Sequence, residues 1–202
     1  MGLARAFIAL PWRSGASDVE VAAQLPGDDL LPDATDVVDR CITLDALPDQ
    51  VWPWLVQLGK GRGGWYLPQR LEVLLPRRRR GLRCIDASLQ GLVAGDEVPD
   101  WGPGRPVFRT ITVDPTRALV YLSLRDKANG HRWPTDDRRD RRGVLAFSWA
   151  LVLTDAAPGQ SRLHLRLRMR LAPSRVPTAV IGGLFDWLTV RLLFRGLRER
   201  LR

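Results

Sequence analysis

A glycine-rich stretch is the first place where residue types and spacing suggest a chemistry. Gly59, Gly61 and Gly64 occupy the three glycine positions of G-x-G-x-x-G, the fingerprint of dinucleotide-binding turns. That fingerprint requires a preceding strand, a following helix, and an acidic residue about 20 positions further on. Here the glycines follow a predicted helix, and Asp86, the acid at that distance, lies beyond an arginine run. We therefore interpret the glycines as a structural corner and expect no nucleotide cofactor.

Residues that commonly bind metals or act as nucleophiles are sparse. The chain has two histidines, His131 and His164, and two cysteines, Cys41 and Cys84, and none of them has the spacing of a metal site. No serine has the sequence context of a nucleophile elbow. We therefore expect no metal and no other cofactor, and no catalytic residue is predicted. The sequence favours a binding protein and leaves open whether the chain is an enzyme.

Two arginines interrupt the apolar alternation of predicted strands. Arg40 lies among Val38, Ile42 and Leu44, and Arg109 lies among Val107, Ile111 and Val113. A buried guanidinium without a partner is costly. Three explanations are open: an acid of the chain pairs with the arginine, a ligand carboxylate or carbonyl does so, or the strand face is wrongly assigned. We favour the third and keep both arginines as candidate ligand anchors.

Composition limits the class of protein that positions these residues. The 202 residues are 45% hydrophobic, which is enough for one domain with a packed core. No apolar run approaches the roughly 18 residues that span a bilayer, and the start does not resemble a signal peptide. The net charge of +9 comes almost entirely from arginine and favours anionic partners. We expect a cytoplasmic protein.

The order of predicted elements indicates an α+β fold. Residues 36–44, DVVDRCITL, alternate as a strand, and Pro48 then suits the first turn of a short helix. A second short helix follows the glycines, and several antiparallel strands begin near Gly95. Residues 125–143 are polar and charged, as in an exposed loop, and 177–202 form a long helix. We assign 1–35 to an N-terminal arm and 36–202 to the domain.

One stretch resembles a known family. The sequence ITLDALPDQVWPWLVQLGKGRGGWYLPQRLEVLL, together with the later LQGLVAGDEV, is similar to the SRPBCC superfamily. These are START-like, helix-grip proteins, and the closest match is an actinobacterial branch described as polyketide cyclase-like. The resemblance covers roughly residues 26–200. It implies a curved antiparallel sheet wrapped around the C-terminal helix, with a cavity between them and the glycine corner near the cavity mouth.

The implied function is the binding of a hydrophobic, lipid- or polyketide-like small molecule. Family members that cyclise do so largely by folding a reactive chain in a shaped cavity, so a cyclase or dehydratase-like activity is the enzymatic alternative. Aromatic and aliphatic residues on the predicted inner surfaces are candidates for the lining, and two aromatic residues lie directly after the glycines. The candidates are Trp65, Tyr66, Phe108, Leu122, Trp149, Leu167, Phe185 and Leu188.

A second function class remains open, that of a basic surface module binding nucleic acid or an anionic membrane. It would use Arg77–Arg80, the arginines within 138–142 and the C-terminal helix. Aromatic residues are not interleaved with these arginines as they are in single-strand binders, so nucleic acid is disfavoured and peripheral membrane contact stays open. The oligomeric state cannot be predicted from the sequence.

Overall fold

The chain forms one seven-stranded sheet with two longer helices on its inner face. A computed structural model describes residues 12–101, 104–133, 143–170 and 176–202. The side chains of 176–183 are outside this description. The strands are β1 Arg13–Ser14, β2 Asp36–Leu44, β3 Glu97–Pro99, β4 Val107–Asp114, β5 Ala118–Asp126, β6 Val144–Asp155 and β7 Ser161–Arg170. The helices are α1 Asp18–Ala22, α2 Pro48–Gln57, α3 Gln69–Glu72 and α4 Val176–Arg200. Single 3₁₀ turns occur at Asp28–Leu30, Arg77–Arg79 and Ala87–Leu89.

The sheet is curved and antiparallel apart from one short edge pairing. Its strand order is β1-β2-β7-β6-β5-β4-β3, and only β1 pairs in parallel, with β2. The α+β prediction is confirmed, with two short helices after the first long strand and a long C-terminal helix packed on the sheet. Of the polar loop predicted for 125–143, residues 134–142, including the arginines within 138–142, lie outside the described residues.

Strand alternation places an apolar face inward, where α2 and α4 cover it. Val38 and Leu44 of β2 and Leu165 of β7 are fully buried there. The α4 helix contributes Val190, Leu193, Phe194 and Leu197 to this core. Gly196 permits the close approach of α4, because a Cβ at that position would lie 2.5 Å from the carbonyl oxygen of Tyr66.

The predicted apolar stripe of the C-terminal helix is wrong in its first half. The helical period of 177–202 predicts an apolar stripe in which Leu184, Phe185 and Leu188 face the sheet, but their exposed fractions are 47, 69 and 48%. The face that packs on the sheet instead begins with Asp186 and continues through Val190 and Leu193. The helix is apolar on more than one side, so its periodicity alone does not select the buried face.

The outer face of the sheet carries charged residues, and the segment before β2 covers them. The alternation of RLHLRLRMRL predicts that His164 and Arg166 of β7 face solvent, yet both are buried. His164 Nε2 lies 2.6 Å and Arg166 Nε 2.8 Å from Asp39 Oδ1, and Arg166 also pairs with Asp28 of the covering segment. Burial alone would raise the pKa of Asp39, but these two partners outweigh it and hold the pKa below its usual value. An alternating polar strand face therefore indicates ion pairing here rather than contact with water.

The glycine stretch forms a tight corner between α2 and Trp65. Gly59 and Gly64 bridge each other through hydrogen bonds of 3.2 and 2.9 Å. Gly64 has a φ of +81°, and a Cβ there would meet the Cα of Gly81 at 2.9 Å. Only glycine fits this position without strain, so backbone geometry explains why a glycine is found there.

Two further observations concern the cysteines and the length of the described helices. Both cysteines are free. Cysteines outside a metal motif are predicted to be small buried side chains, which is correct for Cys41, whereas Cys84 is exposed. Among the described residues, no helix combines the length and apolar character needed to cross a membrane.

Candidate functional site

Five aromatic rings surround a gap at the inner face of the sheet, and this gap is called the aromatic pocket below. Its rings belong to Trp65, Trp101, Phe108, Tyr121 and Trp149. Trp65 stacks on Trp149 with a centroid distance of 6.0 Å, and Trp101 meets Trp65 edge-on at 5.9 Å. Phe108 and Tyr121 lie 6.1 and 6.0 Å from Trp149. These distances are typical of interacting aromatic pairs, so Trp149 is the centre of one continuous cluster.

Backbone geometry explains why these rings converge. Phe108, Tyr121 and Trp149 project inward from neighbouring strands β4, β5 and β6, and Tyr121 pairs with Trp149 in register. The glycine corner brings Trp65 over them, and its indole nitrogen donates a hydrogen bond of 3.1 Å to the carbonyl of Thr189 on α4. Trp101 follows β3 at the sheet edge and is 47% exposed. It therefore forms the outermost wall of the pocket.

The pocket is apolar and small. Leu58, Gly59, Val98, Pro99 and Asp100 complete its lining, and its cavity volume is about 30 Å³. That is about the share of liquid volume that one water molecule occupies, whereas sites for drug-sized ligands span roughly 300–1,000 Å³. A larger molecule can enter only if part of the wall moves.

Charged groups hold the rim of the pocket rather than its interior. Arg125 pairs with Asp100 at 2.7 Å, and its guanidinium carbon lies 5.2 Å from the Phe108 ring centroid and 4.6 Å from that of Phe147. Lys60 Nζ donates a hydrogen bond of 3.0 Å to the Asp100 carbonyl oxygen. Because Asp100 already has a cationic partner, its carboxylate is not a free base facing the gap.

The aromatic pocket brings together three of the predicted site residues, Trp65, Phe108 and Trp149. Leu167 lies beside Trp149 in the β6–β7 register and is half-buried on the same sheet face. Tyr66 belongs to the core instead: it is fully buried, and its hydroxyl donates a hydrogen bond of 2.8 Å to the Trp54 carbonyl. This burial raises the pKa of Tyr66 far above its usual value.

Arg40 faces inward, as its strand pattern indicated, so the explanation that we favoured is wrong for this residue. It is 1% exposed and pairs with Asp186 of α4 at 2.9 Å. Burial lowers the pKa of Arg40, and burial raises the pKa of Asp186 against the opposing effect of the arginine. An acid of the chain therefore supplies the partner, on a helix face that the sequence did not predict.

Arg109 and Leu122 lie on the opposite face of the sheet from the aromatic pocket. They pair with each other in register, and each is the chain neighbour of an inward residue, Phe108 or Tyr121. A bulge between Thr110 and Thr112 shifts the β4 register, so Arg109 does not share a face with Val113. For Arg109, the third explanation holds, because the sequence analysis assigned this residue to the wrong face of its strand. Phe185 and Leu188 are exposed, as described above.

Two aromatic residues of the pocket were missed at the sequence level. The alternation of ALVYLSL places Leu119, Tyr121 and Ser123 on one face, so Tyr121 could have been found in place of Leu122. Trp101 lies in a loop and has no periodic signal.

A second, wider cavity lies at one end of the sheet. Its volume is about 720 Å³, and it is an open groove beside the β4–β5 turn, with Asp49, Asp114 and Asp155 around Arg117. No group of three potential metal ligands is found within the described parts of the chain.

Comparisons with known proteins identify no family for the chain. No protein-family model matches it, and neither does any curated protein sequence. Solved structures do resemble it at low identity, and the matches to three of them each cover 82% of this chain. They are protein MLL2253 from Mesorhizobium loti (17% identity, 96% of that chain, TM-score 0.43), a protein from Arthrobacter aurescens (14%, 85%, 0.44) and CalU16 from Micromonospora echinospora (14%, 83%, 0.43). Similarities at this level do not indicate what the chain binds, and membership of the START-like branch stays a prediction.

Proposed function

We propose that the chain is a START-like, helix-grip protein that binds a hydrophobic, lipid- or polyketide-like small molecule in the aromatic pocket. The observation that carries this proposal is the gap that five aromatic rings enclose on the inner sheet face. Well-packed cores rarely leave such a gap between large rings. Its lining is almost entirely apolar, which suits an apolar ligand.

Burial along the inner face supports the same location. Leu151 and Leu153 of β6 are 1 and 3% exposed, whereas Phe147 and Trp149 of the same strand face are only half-buried. Apolar surface that the chain itself leaves partly uncovered gains free energy when an apolar ligand covers it, by about 25 cal/mol for each Å² removed from water. The aromatic pocket lies at this incompletely covered end.

Binding requires the pocket to open, and Trp101 is the wall best suited to move. Its ring is 47% exposed and touches the rest of the cluster only edge-on, at Trp65. Moving this ring costs little core packing, because Trp149 keeps all three of its aromatic neighbours, Trp65, Phe108 and Tyr121. We expect the ligand to replace Trp101 against Trp65.

The pocket supports binding more strongly than catalysis. Asp100 is the only acidic side chain of its lining among the described residues, and Arg125 holds that carboxylate. Any cyclase-like chemistry would therefore depend on the shape of the opened pocket, with little contribution from acid–base groups.

A neutral naphthylamine probe, whose fluorescence rises in apolar surroundings, tests the proposal. We expect the wild type to bind it with low-micromolar affinity, corresponding to roughly −8 kcal/mol. Because no charge is involved, the affinity should change little as the salt concentration rises from about 0.1 M to about 1 M. Trp65→Leu should weaken binding by about tenfold, since it removes a stacked ring from the pocket wall.

Trp187→Leu is the matched control, because Trp187 lies on α4 outside the pocket and contacts Arg191. It should leave probe affinity unchanged. Thermal unfolding of both variants shows whether they fold. Wild-type protein that does not bind the probe, or equal affinities in both variants, would show that the pocket is closed core and would overturn the proposal.

A further inference from the structure

An exposed tip combines aliphatic side chains with a run of arginines. This tip comprises residues 70–80, which include α3 and the 3₁₀ turn Arg77–Arg79. Leu74 is 77% exposed and Val73 54%, and Leu71 is also exposed, at 38%. Arg77, Arg78 and Arg79 are exposed directly after them. An apolar cluster that projects into solvent beside like charges is unfavourable in isolation, so it indicates an interaction surface.

Buried ion pairs hold the base of the tip. Glu72 is 3% exposed and accepts hydrogen bonds from Arg200 at 2.6 Å and from Arg83 at 2.9 Å. Arg200 and Arg83 therefore tie α3 to the end of α4 and to the segment that follows the tip. The tip keeps its shape without a partner, so docking would cost little ordering entropy.

The tip arginines divide into one structural residue and three others. Arg80 folds back and donates hydrogen bonds of 2.9 Å to the carbonyls of Val73 and Leu75. Within the described part of the chain, no hydrogen bond or ion pair occupies the guanidinium groups of Arg77, Arg78 or Arg79. These three cations are available to an anionic partner.

We propose that this tip docks the protein on the surface of an anionic phospholipid bilayer. Arginines near such a surface attract acidic headgroups, while adjacent aliphatic side chains enter the interfacial region. Nucleic acid would satisfy the arginines but would leave Val73 and Leu74 in water. The combination of an aliphatic cluster and adjacent arginines at one tip therefore fits lipid better than phosphodiester backbone. The proposal is independent of the aromatic pocket, which none of these residues lines.

Vesicle co-sedimentation with the full chain tests the proposal. We expect binding to vesicles of equimolar phosphatidylcholine and phosphatidylglycerol and much weaker binding to phosphatidylcholine alone. Arg77→Ser/Arg78→Ser should weaken binding by roughly 25-fold, since each arginine contributes about fivefold, or about 1 kcal/mol. Val73→Ser/Leu74→Ser keeps every charge and should weaken binding on the order of tenfold.

Matched controls remove the same groups elsewhere. Val19→Ser replaces an aliphatic side chain that is 80% exposed on α1, and Arg117→Ser/Arg191→Ser removes two exposed arginines outside the tip. Both controls should bind vesicles within about twofold to threefold of the wild type, because lost long-range attraction is largely screened by salt. All four variants change exposed residues, and unchanged thermal unfolding would show that they fold.

Three results would overturn the proposal. The first is no preference for the acidic vesicles. The second is equal binding by tip and control variants. The third is DNA binding without vesicle binding. If the wild type binds single- or double-stranded DNA, and Arg77→Ser/Arg78→Ser weakens this binding while Val73→Ser/Leu74→Ser does not, the tip would be assigned to nucleic acid.

Discussion

The ion pair of Arg40 with Asp186 positions the C-terminal helix more than it stabilises the fold. Burial shifts the pKa of each group toward its uncharged form, which shows that desolvation opposes the pair even though the two side chains are in contact. Their distance of 2.9 Å joins β2 to the first described side chains of α4. Such a pair fixes which face of the helix meets the sheet, at a position where the helix is apolar on several sides.

We predict that Asp186→Asn lowers the free energy of unfolding by about 3 kcal/mol, because it removes the carboxylate that pairs with the buried Arg40 guanidinium. Arg40→Met/Asp186→Leu removes both charges and should lie within about 1 kcal/mol of the wild type. Urea unfolding at neutral pH measures the free energy of unfolding of both variants. An Asp186→Asn variant as stable as the wild type would show that the pair is dispensable for holding α4.

The covering segment before β2 is held to the outer sheet face by a pair that responds to acid. Glu20 of α1 accepts hydrogen bonds of 2.6 and 3.0 Å from Arg162 of β7 and caps its own helix through the Ser17 backbone amide at 2.7 Å. The Arg162 hydrogen bond is the main cause that lowers the pKa of Glu20 from 4.5 to about 2. A carboxyl whose pKa is lower in the folded than in the unfolded chain stabilises the fold at pH values above its unfolded pKa. This stabilisation is lost as the pH falls toward the pKa of the folded state.

We predict that Glu20→Gln costs about 1 kcal/mol of unfolding free energy at neutral pH, since the pair is about one quarter exposed and partly screened. The difference from the wild type should shrink as the pH falls from about 4.5 toward 2. Asp18→Asn, on the same helix but with a side chain that is 93% exposed, is the control and should cost less. Urea unfolding across this pH range measures both. A difference that does not depend on pH would contradict the role of Glu20.

Strand elements were predictable from the sequence because their alternation is strict. The alternation of Val38, Arg40, Ile42 and Leu44 matches the inner face of β2, although we favoured a wrong strand face for Arg40. The β4 bulge was not predictable from alternation, since one extra residue reverses the faces beyond it and moved Arg109 outward. Where a strand is regular, period two decides which residues line the inner face.

Helix and loop contributions to the aromatic pocket were harder to predict. The sequence analysis selected Phe185 and Leu188 for the inner helix face, whereas the pairing of Asp186 with Arg40 turns Val190 and Leu193 inward instead. Trp101 reaches the pocket by the path of a loop, which no local period encodes. Pairing between distant segments therefore decided the parts of the site that the sequence analysis missed.

In the whole molecule, the two proposed surfaces suggest one route for an apolar ligand. The ligand of the aromatic pocket would be poorly soluble in water, and a bilayer is a natural source for it. The tip and the pocket share α4, because Arg200 at its end holds Glu72 at the base of the tip and Thr189 accepts the hydrogen bond of Trp65. Docking at the tip would thus hold the pocket close to the membrane.

We predict that the protein transfers a fluorescent fatty-acid-like probe from donor vesicles to quencher-containing acceptor vesicles. With acidic lipid in both populations, Val73→Ser/Leu74→Ser should slow transfer on the order of tenfold, as it weakens vesicle binding by that factor. Its affinity for the naphthylamine probe in vesicle-free solution should equal that of the wild type, because the tip does not line the pocket. Trp65→Leu should show the reverse pattern, with weak probe binding and normal vesicle binding. If transfer is equally fast for Val73→Ser/Leu74→Ser and the wild type, while both bind the probe, the pocket takes its ligand from solution and the tip serves a separate purpose.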